Sequence, residues 1–371
     1  MDTMRINMES GQPTHLECSA QINLGSFYTP LWLVQIAFRM LIWHVNPKDY
    51  LLLDSACGYG SFLTLPGFQA YIGMDQDLQA LQRAAELCQQ PNLSLLHKNA
   101  LHSVSRVHFN IPNSSKLIIM GNPPYNDRTS RVRAHLKDKS PLEVDTSLKA
   151  RDIGISFLRS FALLEPDYIC VLHPLSYLIK RANLQALKNF ALHYRLLDAL
   201  VVSSQIFCPK SLSYFPIIVA LYKRDAQGMD YSYIARFCFK TLENKCFTLE
   251  QWDFISTYVD KYPNQQRVDS KVALFYTLRD INALARSKTF LDRQSPHAIY
   301  VPAEKYSLYC YIDVFKTQIP HIPYYLRNCD IFLDFAQFQN LEEQFIHASQ
   351  SKQISPQIAR YFRDLLGVHY L

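Results

Sequence analysis

The chain has 371 residues, 49% of them hydrophobic and 19% charged, with a net charge of +6. That length suits about two domains and a sizeable core, and the composition excludes disordered, collagenous and low-complexity classes. No apolar run approaches the ~20 residues that span a bilayer, since residues 31–45 are interrupted by Gln35, Arg39 and His44.

Nine cysteines lie scattered with no Cys-x-x-Cys pair. They argue against a disulfide framework or structural zinc and for a reducing compartment. The N-terminus is polar, without a signal pattern. The expectation is a soluble, cytoplasmic protein with no metal and no membrane partner, a monomer or weak dimer. Basic and acidic residues balance over 225–371, so residues 1–224 carry the whole positive excess. A basic half points to an anionic partner.

Residues 1–23 read as a polar tail. From Leu31 to about Trp43 apolar residues recur at helical spacing behind Pro30. The run Tyr50 to Leu53 is a buried strand ending in Asp54 and a turn that holds Gly58 and Gly60. A second strand, Ala70 to Met74, ends at Asp75; a helix over Leu78 to Cys88 and a strand over Leu93 to Leu96 follow. Lys116 to Met120 is a fourth strand, ending at Gly121-Asn122-Pro123-Pro124-Tyr125. A helix from Ile155 to Leu164, a strand from Tyr168 to Leu172 and a helix near Leu184 to Leu192 come next. Leu197 to Val202 and Phe215 to Tyr222 read as a final antiparallel addition. Strands alternating with helices predict an α/β fold, a doubly wound and mostly parallel sheet.

After Arg224 the character changes. Residues 229–366 contain no glycine, and residues 225–371 hold 26 of the 48 aromatics. A boundary near 225 divides a 24–224 domain from a smaller, aromatic-rich 225–371 domain with helices over Leu341 to Ser349 and Pro356 to Leu366.

In doubly wound folds, ligands bind beyond the carboxyl ends of the strands. The turn Asp54-Ser55-Ala56-Cys57-Gly58-Tyr59-Gly60 sits there, and its glycines let a ligand approach the backbone. Asp75, at the end of the next strand, is placed to accept from ribose hydroxyls. Position 63 is Leu, so the Gly-x-Gly-x-x-Gly phosphate cradle is incomplete, and no Gly-Lys-Ser/Thr is present. An acid in place of a phosphate cradle suits a cationic ligand such as S-adenosylmethionine. An ordinary strand–helix turn is the competing reading. Leu65-Pro66-Gly67 cuts the helix after this turn to little more than one turn.

Asn122-Pro123-Pro124-Tyr125 is the most informative tetrapeptide. Its prolines remove two N–H donors and force an extended turn with free carbonyls. Asn122 adds a side-chain acceptor. Two acceptors converging on an exocyclic –NH2 aim its lone pair at an electrophile, and Tyr125 offers a face on which a base can stack. A structural Pro-rich loop is the bland alternative.

Together these segments resemble the class I S-adenosylmethionine-dependent DNA adenine-N6 methyltransferases of restriction–modification type. The resemblance covers about residues 24–224. Phe27-Tyr28-Thr29-Pro30 looks like the family's N-terminal cofactor motif. Asp54, Cys57, Gly58 and Gly60 match its methionine-binding turn, and Asp75 its ribose-binding acid. Asn99 stands where the family has an acid that binds the cofactor's adenine amino group. Residues 122–125 match the catalytic motif.

The motif order is that of gamma-type enzymes, whose C-terminal region is the target recognition domain. The resemblance implies that adenine is flipped from duplex DNA. Asn122 and the Pro123 carbonyl hold its amine, Tyr125 stacks on the ring, and the amine attacks the methyl group in line. It also implies a second aromatic on the base, for which Phe207, Tyr214 and Phe215 are candidates. Seven Lys/Arg lie between Arg128 and Arg151; Arg128, Arg131 and Arg133 leave directly from the tetrapeptide as candidate phosphate contacts. Gln265, Gln266 and Arg267 are a candidate base-reading loop. Any restriction endonuclease is expected on a separate chain, since only 23 residues precede the first motif. Competing functions are a release-factor glutamine methyltransferase, an RNA adenine methyltransferase and a catalytically silent DNA-binding subunit.

Overall fold

Strand β1 (Tyr50–Asp54) is buried from Leu51 to Asp54. Its unbroken apolar run, without period-two alternation, is what a strand covered on both faces requires. It pairs in parallel with β2 (Ala70–Asp75) on one side and β4 (Lys116–Gly121) on the other. β2 pairs in parallel with β3 (Leu93–His97), and β4 with β5 (Tyr168–Pro174). The computed structural model describes residues 28–125, 143–207 and 214–371.

The chain divides into two compact units. The first comprises Met1–Ser211, Ile217–Ile234 and Phe239–Lys245. Its sheet has the order β3-β2-β1-β4-β5-β7-β6-β8, with β6 spanning Tyr194–Ser203, β7 Pro216–Arg224 and β8 Phe239–Thr241. The chain steps outward from β1 to β3, then returns to the other side of β1 at β4. That reversal opens a crevice at the carboxyl ends of β1 and β4. β7 runs antiparallel to β5 through seven register pairs and separates it from β6. The doubly wound, mostly parallel sheet read from the sequence is therefore present.

Three helices position the crevice. Helix α1 (Leu31–Ile42) follows Pro30 and buries Leu33, Val34, Ala37 and Leu41. Helix α2 (Leu78–Leu87) is capped by Asp77, whose side chain accepts from the amides of Gln79 and Ala80. Helix α3 (Ile153–Leu164) begins two residues earlier than its apolar pattern suggests, because Asp152 caps it by accepting from the Gly154 amide. Between β1 and β2 only a 3-10 turn, Ser61–Thr64, forms before Pro66, as the sequence implies. The single helix expected over 184–192 is instead two, Arg181–Ala186 and Lys188–His193, meeting at Leu187.

The second unit comprises Leu212–Pro216, Ala235–Cys238 and Cys246–Leu371. Its helices α4 (Tyr306–Gln318), α5 (Glu342–Ser351) and α6 (Pro356–Leu366) enclose an aromatic core. Around the fully buried Tyr311, the rings of Phe345, Tyr361 and Phe362 stand 5.0–5.9 Å away. The Tyr311 hydroxyl donates to the Phe332 carbonyl, satisfying its one polar atom. Most of the aromatic excess is core.

One expectation is corrected here. Cys238 and Cys246 form a disulfide, with Cα atoms 5.9 Å apart. Their separation of eight residues matches no motif; a turn of chain, not a spacing signature, brings them together. Cys57, Cys88, Cys170, Cys310 and Cys329 are buried. Among the described residues, no helix is long and apolar enough to cross a membrane.

Candidate cofactor and catalytic site

The ends of β1 and β4 lie side by side, and this brings the two halves of the site together. A Cβ on Gly121 would stand 2.7 Å from Asp54 Oδ1, so only glycine before Asn122 leaves room for that carboxylate. Asp54 is 3% exposed and accepts from the Ala56 amide at 3.3 Å. The turn that follows is tied back by Cys57 N–H donating to the Met74 carbonyl at 2.8 Å. Gly58 and Gly60 are left-handed, with φ of +52° and +79°, conformations open to glycine at little cost.

Asp75 closes the same turn from β2. Its Oδ2 accepts from the Gly58 amide at 2.8 Å and its Oδ1 from the Asp77 amide at 2.9 Å. The carboxylate as a whole keeps accepting capacity beyond these bonds. The Tyr28 ring stacks on Tyr59 with centroids 4.0 Å apart, and a Cβ on Gly58 would meet Tyr28 Cε1 at 3.1 Å.

One cleft is lined on the turn side by Tyr28, Thr29, Asp54, Cys57, Gly58 and Asp75, and beyond them by Asn99, Asn122 and Pro124. Residues far apart in the sequence thus come together in one cleft. Gly60 serves behind the cleft, packed against the Cys88 sulfur, and Pro30 caps α1. Pro123 is buried. Tyr125 is only 7% exposed, so stacking on a base requires its face to be uncovered on binding.

Phe207 follows a 3-10 turn at Ser204–Ile206 in the first unit. Tyr214 belongs to the second unit, where its carbonyl accepts from Asn282 Nδ2 at 3.0 Å and the Arg327 guanidinium covers its ring at 4.8 Å. Gln265–Arg267 is an exposed 3-10 turn, with Arg267 paired to Asp260. Phe27, Arg128, Arg131 and Arg133 lie outside the described residues.

Burial pushes the Asp54 carboxyl up to about 8, with the Asp75 charge adding to it and the Ala56 amide opposing it. Burial also raises Asp75, against the amides of Asp77 and Gly58. Two desolvated carboxyl groups in one cleft favour a cationic occupant, which lets both ionise. The Cys57 thiol is raised by burial and then by Asp54, so it stays protonated and is no nucleophile. Among the described residues, no group of three or more His, Cys, Asp or Glu is arranged to hold a metal ion.

Several functional neighbours are not legible in the motifs. Ile153 and Phe157 of α3 line the cleft. Asp152 accepts from the Tyr177 hydroxyl as well as from Gly154 N. A Cβ on Gly154 would lie 3.0 Å from Tyr125 Cβ and would collide with the Tyr177 hydroxyl. Gly154 therefore lets α3 back directly onto Tyr125 of the Asn122–Tyr125 tetrapeptide. A capping Asp two residues before a rare glycine was the available signal.

No family model and no curated protein matches the chain. Solved structures with a loose likeness include a protein assigned as an RNA methyltransferase from Pyrococcus horikoshii, at 13% identity, TM-score 0.39, covering 55% of this chain and 88% of that one. A modification subunit assigned to a type I restriction enzyme from Vibrio vulnificus is 15% identical, TM-score 0.38, covering 55% of this chain and 45% of that one. The N-methyltransferase NodS from Bradyrhizobium japonicum, in complex with S-adenosyl-L-homocysteine, is 10% identical, TM-score 0.33, covering 53% and 88%. The likeness spans little more than half of this chain, and the fold rests on its own strand order.

Proposed function

We propose that the chain is an S-adenosylmethionine-dependent methyltransferase acting on the N6 amino group of adenine in duplex DNA, the modification enzyme of a restriction–modification system. The convergence of Asp54, Asp75 and Asn122 on one cleft carries this reading. It sets acids suited to a cationic nucleoside beside a carboxamide suited to an exocyclic amine.

S-adenosylmethionine, when bound, supplies an electrophilic methyl group. Asp75 has accepting capacity left for ribose hydroxyls, and the Gly58 turn leaves backbone open to the methionine portion. Asp54 balances the cationic end of the ligand. The Asn122 side-chain oxygen and the Pro123 carbonyl accept the two amino hydrogens of the flipped base, and Tyr125 supports its ring. No strong general base is required, since the amine becomes acidic only after transfer; orientation supplies most of the acceleration. The second unit is the target recognition domain in this reading, and Arg128, Arg131 and Arg133 meet phosphates.

Transfer of labelled methyl groups by the purified chain tests the substrate class. Label is expected in duplex DNA as N6-methyladenine. Label in ribosomal RNA or in a glutamine peptide of a release factor, with none in DNA, would replace the reading by one of its competitors.

A further inference from the structure

The acid that the resemblance places at position 99 is an asparagine, and its surroundings use both ends of the carboxamide. Asn99 Nδ2 donates to the Glu143 carbonyl at 2.7 Å, and the Leu101 amide donates to Asn99 Oδ1 at 2.9 Å. The two neighbours fix the orientation of the group, because a carbonyl demands a donor and an N–H demands an acceptor. An aspartate would satisfy Leu101 and turn an oxygen against the Glu143 carbonyl.

A second clamp lies alongside. The Asp145 amide donates to the Leu101 carbonyl at 2.9 Å, and Asp145 Oδ2 accepts from the Val104 amide at 3.3 Å. His102 Nδ1 stands 3.6 Å from the other carboxylate oxygen. The limb Glu143–Asp145 is thereby fastened to the 99–104 wall of the cleft. From this limb the chain runs through a 3-10 turn, Thr146–Leu148, to Asp152 and α3, whose Gly154 backs Tyr125. Asn99 itself lines the cleft. A continuous path of contacts thus joins the wall on the cofactor side to the support of the Asn122–Tyr125 tetrapeptide.

We propose that Asn99 is a positioning residue that couples the two sides. A donor from the bound nucleoside falls on the remaining lone pair of Oδ1 while Nδ2 keeps the limb in place. Filling the cofactor site then tightens the limb, and by reciprocity a tightened limb raises cofactor affinity. The inference rests on the cofactor assignment above.

Amide hydrogen exchange of the full chain, with and without S-adenosylhomocysteine, tests it. One lost hydrogen bond is worth about 1 kcal/mol, a factor of roughly five. In Asn99→Asp without ligand, the Asp145 amide should exchange about fivefold faster than in wild type, given that one bond. In wild type, S-adenosylhomocysteine should slow that amide by at least a similar factor; in Asn99→Asp the slowing should vanish while the ligand still binds. If Asn99→Asp does not fold, Asn99→Ser serves, since it shortens the side chain without adding charge.

Equal exchange in wild type and variant overturns the coupling. So does a wild type that binds the ligand without slowing at Asp145. A wild type that binds no S-adenosylhomocysteine overturns the cofactor assignment instead, and the ligand-free comparison still decides whether Asn99 holds the limb.

Discussion

Asp54 is the side chain whose protonation should report the cleft's occupant. Its ordinary carboxyl value is near 4 and burial lifts it to about 8, so the ligand-free fold holds a proton at neutral pH that the unfolded chain has released. The sign follows from linkage: the native state binds more protons between about 4 and 8, and stability without ligand falls as pH rises through that window. A cationic ligand reverses the preference by favouring the carboxylate. Affinity for S-adenosylmethionine should therefore rise from pH 6 to pH 8, by up to about tenfold per unit, with proton release on binding. Calorimetry in buffers of different ionisation enthalpy measures that proton directly. Asp54→Asn should bind weakly and lose the pH dependence; a pH dependence unchanged in the variant would remove Asp54 from the site.

At the scale of elements, α3 and the strand ends do the positioning. Gly154→Ala places a methyl group where Tyr125 and Tyr177 already stand. Displacement by a fraction of an ångström to 1 Å should cut turnover by about 10–100-fold, while cofactor affinity changes little; an equal loss in both would mean general unfolding of the site. The segment after Tyr125 is tested differently. Replacing Arg128, Arg131 and Arg133 should make the log–log salt slope of DNA binding shallower by roughly 3, and an unchanged slope would take phosphate contact away from them. β1, β2 and β4 are legible in the sequence because apolar runs ending in Asp or Gly follow from burial and turn chemistry alone. The backing of Tyr125 is not legible, since it depends on where α3 crosses the tetrapeptide. The partner of Asn99 is a backbone carbonyl, which any residue at 143 would provide. The break at Leu187 eludes apolar periodicity because both short helices keep the same pattern.

For the molecule as a whole, the aromatic content of residues 225–371 reflects a core built on Tyr311 and its neighbours. The Cys238–Cys246 disulfide closes a short loop. Loop-closure entropy for about nine residues gives roughly 2–3 kcal/mol, so Cys238→Ser with Cys246→Ser should lower stability by about that amount relative to oxidised protein, read by denaturant titration. Equal stability would mean that the bridge does not constrain the unfolded chain. The central claim is transfer of a methyl group to adenine in a fixed DNA sequence. Its most direct test is expression of the chain in cells free of adenine methylation, with modified bases mapped by single-molecule sequencing. N6-methyladenine should appear at one recurring motif and disappear in Asn122→Ala. A folded, cofactor-loaded protein that leaves every adenine unmodified would contradict it.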